Sequence, residues 1–430
     1  MSMIGFAGLT HLGLVSAIAI AAKGFRVVGY DADAARVREI AAGRLPVAEP
    51  GLDELARSAT ARLSFSSRAD DLGICDIVYI STDVPTDDRG QSELTGISKS
   101  IAQVLAVLAH DALLVVLCQV PPGFTRGLAL PPERLFYQVE TLVFGRAVER
   151  ATRPERYIVG CADPTQPLPQ ALATLLGAFG CPVLPMRYES AELAKIAINC
   201  CLVASVTTAN TLAELSERVG ADWSEIVPAL KLDARIGQGA YLAPGLGIAG
   251  GNLERDLATV AQLSEATGSE ASVIRSFVAN SRHRRDWATR VLHDEILANT
   301  ADAVIGILGL AYKENTHSTK NSPSLALIST LAPWRLKIYD PVVPAAAANH
   351  PRAEGTASAL AAAEGVDALA IMTPWPEFRD LKPADLARVM AGRTVLDPYR
   401  VIDARAAAAA GFDYFTLGVP AYRAREHRCA

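Results

Sequence analysis

A glycine-rich turn lies near the start of the chain, in IGFAGLTHLGLVSAIAIAAKGFRVVGYD. Read as G-x-G-x-x-G, its positions are Gly8, Thr10 and Gly13, so threonine replaces the second glycine. Such a turn brings the backbone close to a pyrophosphate, which rests on a helix N-terminus. Asp31 follows at the end of the next apolar run, where a carboxylate accepts hydrogen bonds from ribose hydroxyls and repels a 2′-phosphate. The pattern predicts NAD binding, and the alternative is a turn without a ligand.

Lys195 and Asn199 are two polar residues in the apolar stretch between Leu193 and Leu212. A helix places residues four apart on one face. An ammonium in an apolar helix is costly without a purpose, so we favour a functional pair. The alternatives are a polar pair that serves packing, or a lysine whose ammonium reaches solvent.

A second glycine-rich segment, PGLGIAGGNLERD, covers residues 244 to 256. Glycines at this density cost backbone entropy, so the chain is expected to bend sharply or approach a ligand there. Asn252 closes the loop, and Asp256 follows it. Asp256 is a candidate for proton transfer, and the alternative is a helix N-cap.

The composition limits the possible classes of protein. A chain of 430 residues predicts two or three domains, and a net charge of −5 without a basic run makes nucleic acid an improbable partner. Seven cysteines without a framework spacing fit a reducing, cytoplasmic location. The apolar stretch around Lys195 is expected to be a buried core helix and not a membrane span. No metal site is predicted.

Three blocks follow one another along the chain. Strand-like and helical runs alternate up to about residue 185, helices dominate from 189 to about 298, and alternation returns from 302 to 430. Alternation of this kind predicts a parallel sheet with helices on both faces. We therefore expect an α/β fold with three domains: a Rossmann-like domain over 1–187, a helical domain over 188–298 and a second Rossmann-like domain over 299–430.

Many segments resemble, in the right order, those of the UDP-glucose/GDP-mannose dehydrogenase family. They are GRLPVAEPGLDELA, STDVPTDDRG, LCQVPPGFT, FYQVETLVFGRAVERATRPERYIVG, AELAKIAIN, DARIGQGAYLAPGLGIAGGNLERD, GILGLAYKENTHSTKNSPS, IYDP, TPWPEF and LDPYR. The resemblance implies the fold above, with NAD as cofactor on the first domain, a homodimer formed through the helical domain, and a nucleotide-diphosphate sugar as substrate on the last domain. It also implies oxidation of the sugar at C6, in two steps that pass through an aldehyde and a thioester.

The resemblance implies roles for individual residues. Lys195 and Asn199 would hold the developing C6 oxyanion, by charge and by a hydrogen bond. Asp256 would orient water or help proton transfer, and Glu140 would act as a base through water or order the substrate. The other implied cofactor contacts are Pro85, Thr86 and Gln119. The implied substrate contacts are Arg235, Tyr241, Leu242, Gly245, Gly250, Tyr312, Lys313, Lys320 and Arg400.

The chain departs from the family pattern at several of these positions. Asn252 stands where the family has its catalytic cysteine, and an amide is no nucleophile at neutral pH. Phe144 and Gln119 replace an acidic residue and a threonine, and HSTK replaces an acidic and an arginine position. The enzyme is thus expected either to stop at the aldehyde or to oxidise a hydrated aldehyde without a covalent intermediate. The alternative function is a catalytically silent protein that binds a nucleotide sugar and regulates or scaffolds a partner.

Overall fold

The structure is a computed structural model that describes residues 2–85, 92–249 and 251–424. It contains two compact units, Met1–Ile198 and Asn199–Ala430. Strand and helix alternate in the first unit and in the last third of the chain, and helices alone fill the middle. The predicted α/β fold, with its helical central part, is confirmed.

The first unit is built on a sheet that has eight strands among the described residues. They are β1 Met3–Ala7, β2 Arg26–Tyr30, β3 Leu63–Ser66, β4 Ile77–Ile80, β5 Leu113–Val116, β6 Leu135–Gln138, β7 Tyr157–Cys161 and β8 Val183–Arg187. Their order in the sheet is β3-β2-β1-β4-β5-β6-β7-β8. Because the order reverses at β1, the ends of β1 and β4 flank the point where this fold binds dinucleotides.

One strand pair departs from the predicted parallel arrangement. Strand β7 runs antiparallel to β6, and β8 is again parallel to β7. The segment between β6 and β7, residues 139–156, is long enough for a parallel crossover and contains one helix of six residues, so its length does not explain the reversal. The predicted parallel arrangement is therefore wrong for this one pair of strands.

Helices cover both faces of this sheet. They are α1 His11–Ala22, α2 Ala34–Ala41, α3 Leu52–Ala59, α4 Thr95–Leu105, α5 Ala147–Thr152 and α6 Gln170–Gly177. Helix α1 is apolar on nearly every side because it lies between the sheet and α3, and eight of its residues are buried. Buried clusters fill both sheet faces, so the strand ends that carry the candidate residues sit on a fixed scaffold.

The long helix α7, Tyr188–Val219, contains 32 residues and carries both Lys195 and Asn199. It is long and apolar enough to cross a membrane by length and composition, and 33% of its apolar window is buried within the chain. Leu193, Leu215 and Val219 are exposed, at 47%, 52% and 66%. The expectation of a core helix buried within its own chain is therefore wrong for most of this window.

The second unit begins with helices and ends with a second sheet. The helices after α7 are α8 Trp223–Leu232, α9 Asn252–Thr267, α10 Ser272–Arg285, α11 Trp287–Leu292, α12 Pro323–Thr330, α13 Ala359–Ala363, α14 Pro383–Val389 and α15 Ala404–Ala409. The strands are β9 Val304–Leu308, β10 Arg335–Tyr339, β11 Ala353–Gly355, β12 Ala368–Ile371, β13 Thr394–Leu396 and β14 Asp413–Phe415. They pair in parallel in the order β11-β10-β9-β12-β13-β14, as the alternation predicts.

Candidate functional site

The turn after β1 has the backbone of a dinucleotide-binding turn. Gly8 has φ +104°, and a Cβ there would lie 2.7 Å from the backbone nitrogen of Thr82. A Cβ on Gly13 would lie 1.8 Å from the carbonyl oxygen of Gly8, so both positions require glycine. Thr10 precedes α1 with φ −83°, a conformation that any residue adopts. The missing second glycine therefore leaves the turn intact.

The N-terminus of α1 carries neither a side-chain cap nor an acidic residue in its first turn. Asp31, at the end of β2, accepts hydrogen bonds from Leu9 N (2.9 Å), Asp33 N (3.0 Å) and the Arg36 guanidinium (2.9 Å). These contacts hold the carboxylate beside the turn. A free helix N-terminus and a fixed carboxylate fit the pyrophosphate and the ribose of NAD.

The ends of β4 and β5 border the same turn. Asp83 and Pro85 follow β4 and are exposed, and Gln119 follows β5 and is half-buried. Desolvation raises the pKa of the Asp83 carboxyl, as does Glu140, while Thr10, His11 and Arg36 lower it. Sequence reasoning missed Asp83, although it stands two residues before the predicted Pro85. The predicted Thr86 lies outside the described residues.

Lys195 is held in place by the segment after β6. Its ammonium donates to the carbonyl oxygen of Glu140 at 2.9 Å and lies 3.2 Å from the Glu140 carboxylate. Both side chains are mostly buried, at 13% and 19% exposure. The second Glu140 oxygen accepts the backbone N–H of Leu142. The structure thus brings two predicted catalytic residues into direct contact.

Glu49 organises the neighbouring part of the first unit, and sequence reasoning missed it. Its buried carboxylate lies 2.8 Å from His11 Nε2 and accepts the backbone N–H groups of Gly145 and Ala147. The His11 ring in turn contacts the Phe144 ring, with centroids 4.1 Å apart. Glu49 therefore ties the start of α1 to the loop that carries Phe144. A lone glutamate in a loop gives no signal of this role in the sequence.

Asn199 and Asp256 meet inside the second unit. Asn199 Nδ2 donates to Asp256 Oδ2 at 2.5 Å, and Asp256 is 1% exposed. Arg255 Nε lies 3.8 Å from the other carboxylate oxygen. Helix α9 begins at Asn252 after Gly251, so Asp256 is in its second turn. The alternative that Asp256 is an N-cap is therefore wrong.

Asn252 is the first residue of α9, at the end of the glycine-rich loop. Of the cysteines, Cys200 packs in the same apolar cluster as Leu253 and Leu257. Burial raises the pKa of the Cys200 thiol to about 11, and the Asp256 carboxylate adds to this shift. A thiol held protonated in this way is a poor replacement for a catalytic cysteine.

The glycine-rich loop is fixed by three side chains from helices α7, α8 and α10. Gly245 N donates to Asn210 (2.8 Å), Ile248 N donates to Ser281 (2.7 Å), and the Trp223 indole donates to Leu242 O (2.8 Å). Gly247 has φ +78°, and a Cβ there would lie 2.3 Å from the Ser281 carbonyl oxygen. The glycines therefore serve a sharp bend against α10. The predicted Gly250 lies outside the described residues.

A cavity of about 700 Å³ opens beside this loop, within the second unit. Three predicted substrate residues line it: Tyr241, Leu242 and Arg400. Arg400, at φ +53°, is 3.3 Å from Asp222 and from the Ser224 hydroxyl. Strain of this kind in a polar residue is typical of binding sites. Apolar walls with a fixed guanidinium suit a nucleotide.

The other predicted substrate residues lie outside this cavity's lining. Lys313 lies over the Tyr312 ring at 5.6 Å. Lys320 is exposed, and its charge lowers the pKa of Glu254, which burial raises. Arg235 pairs with Asp233 at 2.6 Å, and its side chain is 89% exposed.

Comparisons with known proteins cover nearly the whole chain. Sequence models of the UDP-glucose/GDP-mannose dehydrogenase family match residues 2–175 as its NAD binding domain, 189–282 as its central domain and 306–404 as its UDP binding domain. The chain is 28% identical to the UDP-glucose 6-dehydrogenase TuaD of Bacillus subtilis, over 99% of this chain and 95% of that one. It is also 28% identical to a UDP-glucose 6-dehydrogenase of Pseudomonas aeruginosa, over 96% of each chain.

A solved structure agrees with these matches. The UDP-glucose dehydrogenase of the hyperthermophilic archaeon Pyrobaculum islandicum superposes with a TM-score of 0.84 at 28% identity, over 94% of this chain and 96% of that one. The domain matches follow the order of the two sheets and the helices between them. The chain therefore belongs to the UDP-glucose/GDP-mannose dehydrogenase family, whose members are NAD-dependent oxidoreductases of nucleotide sugars.

Proposed function

We propose that the protein oxidises the C6 alcohol of a UDP-glucose-type nucleotide sugar with NAD and releases the aldehyde. The proposal depends chiefly on one contrast. Lys195, Asn199 and Asp256 are present and held by polar partners, whereas position 252 carries an amide in place of a thiol. The relatives named above are UDP-glucose dehydrogenases, and this supports a substrate of that class.

The first oxidation needs a proton acceptor and a stabiliser of the oxygen at C6. NAD, when bound, accepts the hydride. The alcohol proton passes to water or to a carboxylate, for which Asp256 is the candidate. The ammonium of Lys195 and the second N–H of Asn199 stabilise the negative charge that develops on the oxygen, since both residues lie one turn apart on α7.

The second oxidation requires a tetrahedral adduct at C6 from which another hydride can leave. A thiolate would form this adduct by attack on the aldehyde, but the Asn252 amide cannot do so at neutral pH. Cys200 is poorly suited because its pKa is raised to about 11. A hydrated aldehyde is the remaining route, and it should be slower because water must be positioned and deprotonated.

The domain limits 1–187, 188–298 and 299–430 remain part of this proposal, as does a homodimer. The exposed Leu212, Leu215 and Val219 support the dimer, because they are spaced three and four residues apart on one face of α7, and an exposed apolar face is usually covered by a partner. The free cysteines at positions 75, 118, 161, 181, 200 and 201 support a reducing, cytoplasmic location.

The experiment mixes the purified protein with NAD and a panel of UDP-, GDP- and TDP-sugars. It follows NADH by absorbance and identifies the sugar product by mass after aldehyde trapping. We expect one NADH per sugar and an aldehyde, loss of turnover in Lys195→Ala, and retained turnover in the control Asn252→Ser. Two NADH and a uronic acid would contradict the stop at the aldehyde. Absence of both NADH formation and NAD binding would overturn the enzymatic function and favour a silent nucleotide-sugar-binding protein.

A further inference from the structure

Glu192 is a fully buried carboxylate in the second turn of α7 to which no role has been given so far. Its exposure is 0%. Oε2 accepts the backbone N–H of Gly123 at 2.6 Å, and Oε1 accepts that of Thr125 at 2.8 Å. Burial raises the pKa of this carboxyl, while the hydrogen bonds from Thr125 and Gly123 lower it. Burial of a carboxylate is unfavourable unless it is hydrogen-bonded, and here both of its oxygens accept backbone N–H groups of one short loop.

That loop, residues 119–125, is here called the cofactor loop because it starts at Gln119. It leaves the sheet directly after β5, at the edge where the carboxyl ends of the strands meet. On its other side Cys118 Sγ donates to the carbonyl oxygens of Ile80 (3.1 Å) and Thr82 (2.8 Å), next to the dinucleotide turn. The loop is therefore held between β4 and α7.

Gly123 has φ +92°, and a Cβ there would meet nothing within 4 Å. The glycine is required by the backbone conformation and not by lack of space. This conformation directs the Gly123 N–H at the Glu192 carboxylate. The hydrogen bond to Glu192 therefore depends on the left-handed backbone conformation at Gly123.

Helix α7 holds two strand-end loops with opposite chemistry. Glu192 accepts N–H groups from the cofactor loop, and Lys195, three residues later, donates to the carbonyl oxygen of Glu140 in the loop after β6. Residues three apart are neighbours on a helix surface. The same two turns of α7 therefore position both the cofactor loop and Lys195.

We propose that Glu192 is a positioning residue that fixes the cofactor loop relative to Lys195 for hydride transfer. The inference rests on the proposed function, because it takes Gln119 to contact NAD. The role requires a carboxylate. A glutamine would present one oxygen acceptor and one NH₂ donor, and the donor would face a backbone N–H. The loop would then lose one of its two hydrogen bonds to residue 192, and its distance from α7 would no longer be fixed.

The test compares Glu192→Gln with Glu189→Gln. The control residue lies on the same helix and holds the same loop segment through Arg126, but its side chain is 39% exposed. Binding of NADH is measured by fluorescence, binding of UDP-glucose by calorimetry, and folding by thermal unfolding. We expect Glu192→Gln to weaken NADH binding about tenfold or more, and to change UDP-glucose binding less than about twofold. Glu189→Gln should change both by less than about twofold.

The outcomes separate this inference from the proposed function. Unchanged NADH binding in Glu192→Gln would overturn the inference about Glu192. An equal loss of NADH and UDP-glucose binding would also overturn it, because such a loss indicates general damage to the fold. A wild-type protein that binds NADH but turns over no nucleotide sugar would contradict the proposed function, while the variant comparison would still decide the role of Glu192. A wild-type protein that does not bind NADH would overturn both.

Discussion

Asn199 and Asp256, 57 residues apart in the chain, share a buried hydrogen bond in which the amide donates to the carboxylate. An asparagine amide has two N–H donors, so this bond leaves one for a substrate oxygen. The bond also fixes the amide orientation, because an ionised Asp256 carboxylate can accept but cannot donate a hydrogen bond, so the NH₂ group must face it. Two predicted catalytic residues thus act as one unit, and each is expected to lose its function when the other is changed.

Asn199→Asp places two carboxylates in this buried contact. One of them must bind a proton, so its pKa rises well above the value in the unfolded chain. Stability is then highest at low pH and is lost as pH rises through the raised pKa. We expect a loss of about 3 kcal/mol at about pH 8, about half of which is recovered at about pH 5 and nearly all below about pH 4. Denaturant unfolding at both pH values measures it, and Asn199→Ala is the control, whose loss should not depend on pH.

Asn252→Cys restores a thiol at the start of α9. A thiol at a helix N-terminus has a lowered pKa, which favours the thiolate that attacks an aldehyde. We expect the yield of NADH per nucleotide sugar to rise from one towards two, with acid among the products. Mass analysis of the sugar and of a trapped thioester checks this result. A variant that still yields one NADH would contradict the prediction that the missing thiol alone stops the reaction at the aldehyde.

Cys200 is predicted to react slowly with alkylating reagents. At about pH 8 a pKa of about 11 leaves a thiolate fraction about a hundredfold below that of a thiol whose pKa has the ordinary value of about 9. Asp256→Asn removes part of the shift and should accelerate alkylation of Cys200. Mass spectrometry on a Cys201→Ser background gives the rates, since Cys201 is exposed and adjacent. Fast labelling of Cys200 in the unchanged site would contradict the proposed inertness of this thiol.

Asp83 places a negative charge beside the turn proposed to receive the pyrophosphate. Because its pKa is raised, Asp83 loses this charge at a higher pH than an ordinary aspartate does as the solution is acidified. We therefore expect NADH to bind more tightly as pH falls from about 7.5 towards about 4.5. Asp83→Asn should bind NADH about fivefold more tightly at about pH 7.5 and show a weaker pH dependence. Binding that weakens at low pH would refute this role.

Arg36 pairs with Asp31 at 2.9 Å, and an arginine beside this carboxylate is the residue type that accommodates a 2′-phosphate in NADP-binding domains. Asp31→Ser removes the repelling carboxylate and frees the guanidinium, whose fork matches a phosphate. We expect the preference for NADP over NAD to rise at least about tenfold. Titration of both reduced cofactors measures it. The double variant with Arg36→Ala should lose the gain, and if it does not, Arg36 is not the phosphate ligand.

The sequence predicted the alternating architecture because each long strand is an apolar run bounded by turns. Strands β3, β6, β8 and β11 give a weaker local signal because they are short or contain polar residues, and their formation depends on pairing with neighbouring strands. The antiparallel step at β7 was missed, because strand direction depends on the connection and not on local pattern.

The candidate site was predictable at positions that only glycine can occupy. Gly8 and Gly13 are required by contacts that exclude a Cβ, and the spacing of glycines reports that requirement. Glu49 and Glu192 were missed because a buried carboxylate that accepts backbone N–H groups looks, in the sequence, like any surface glutamate. Their roles depend on loops that are distant in the chain, such as the 67 residues between Thr125 and Glu192.

The reversal of direction between β6 and β7 determines the position of Lys195, the proposed catalytic lysine. Because β8 runs against β1–β6, helix α7 starts beside the first residues of β6, where the Tyr188 hydroxyl donates to Leu135 O at 2.7 Å. The helix then runs alongside β6, and Lys195 lies near the C-terminal end of that strand, beside Glu140. A wholly parallel sheet would start the helix at the cofactor edge and carry the lysine away from it. The single antiparallel step thus reverses the chain direction, so that α7 brings Lys195 to the sheet edge that carries the candidate NAD site.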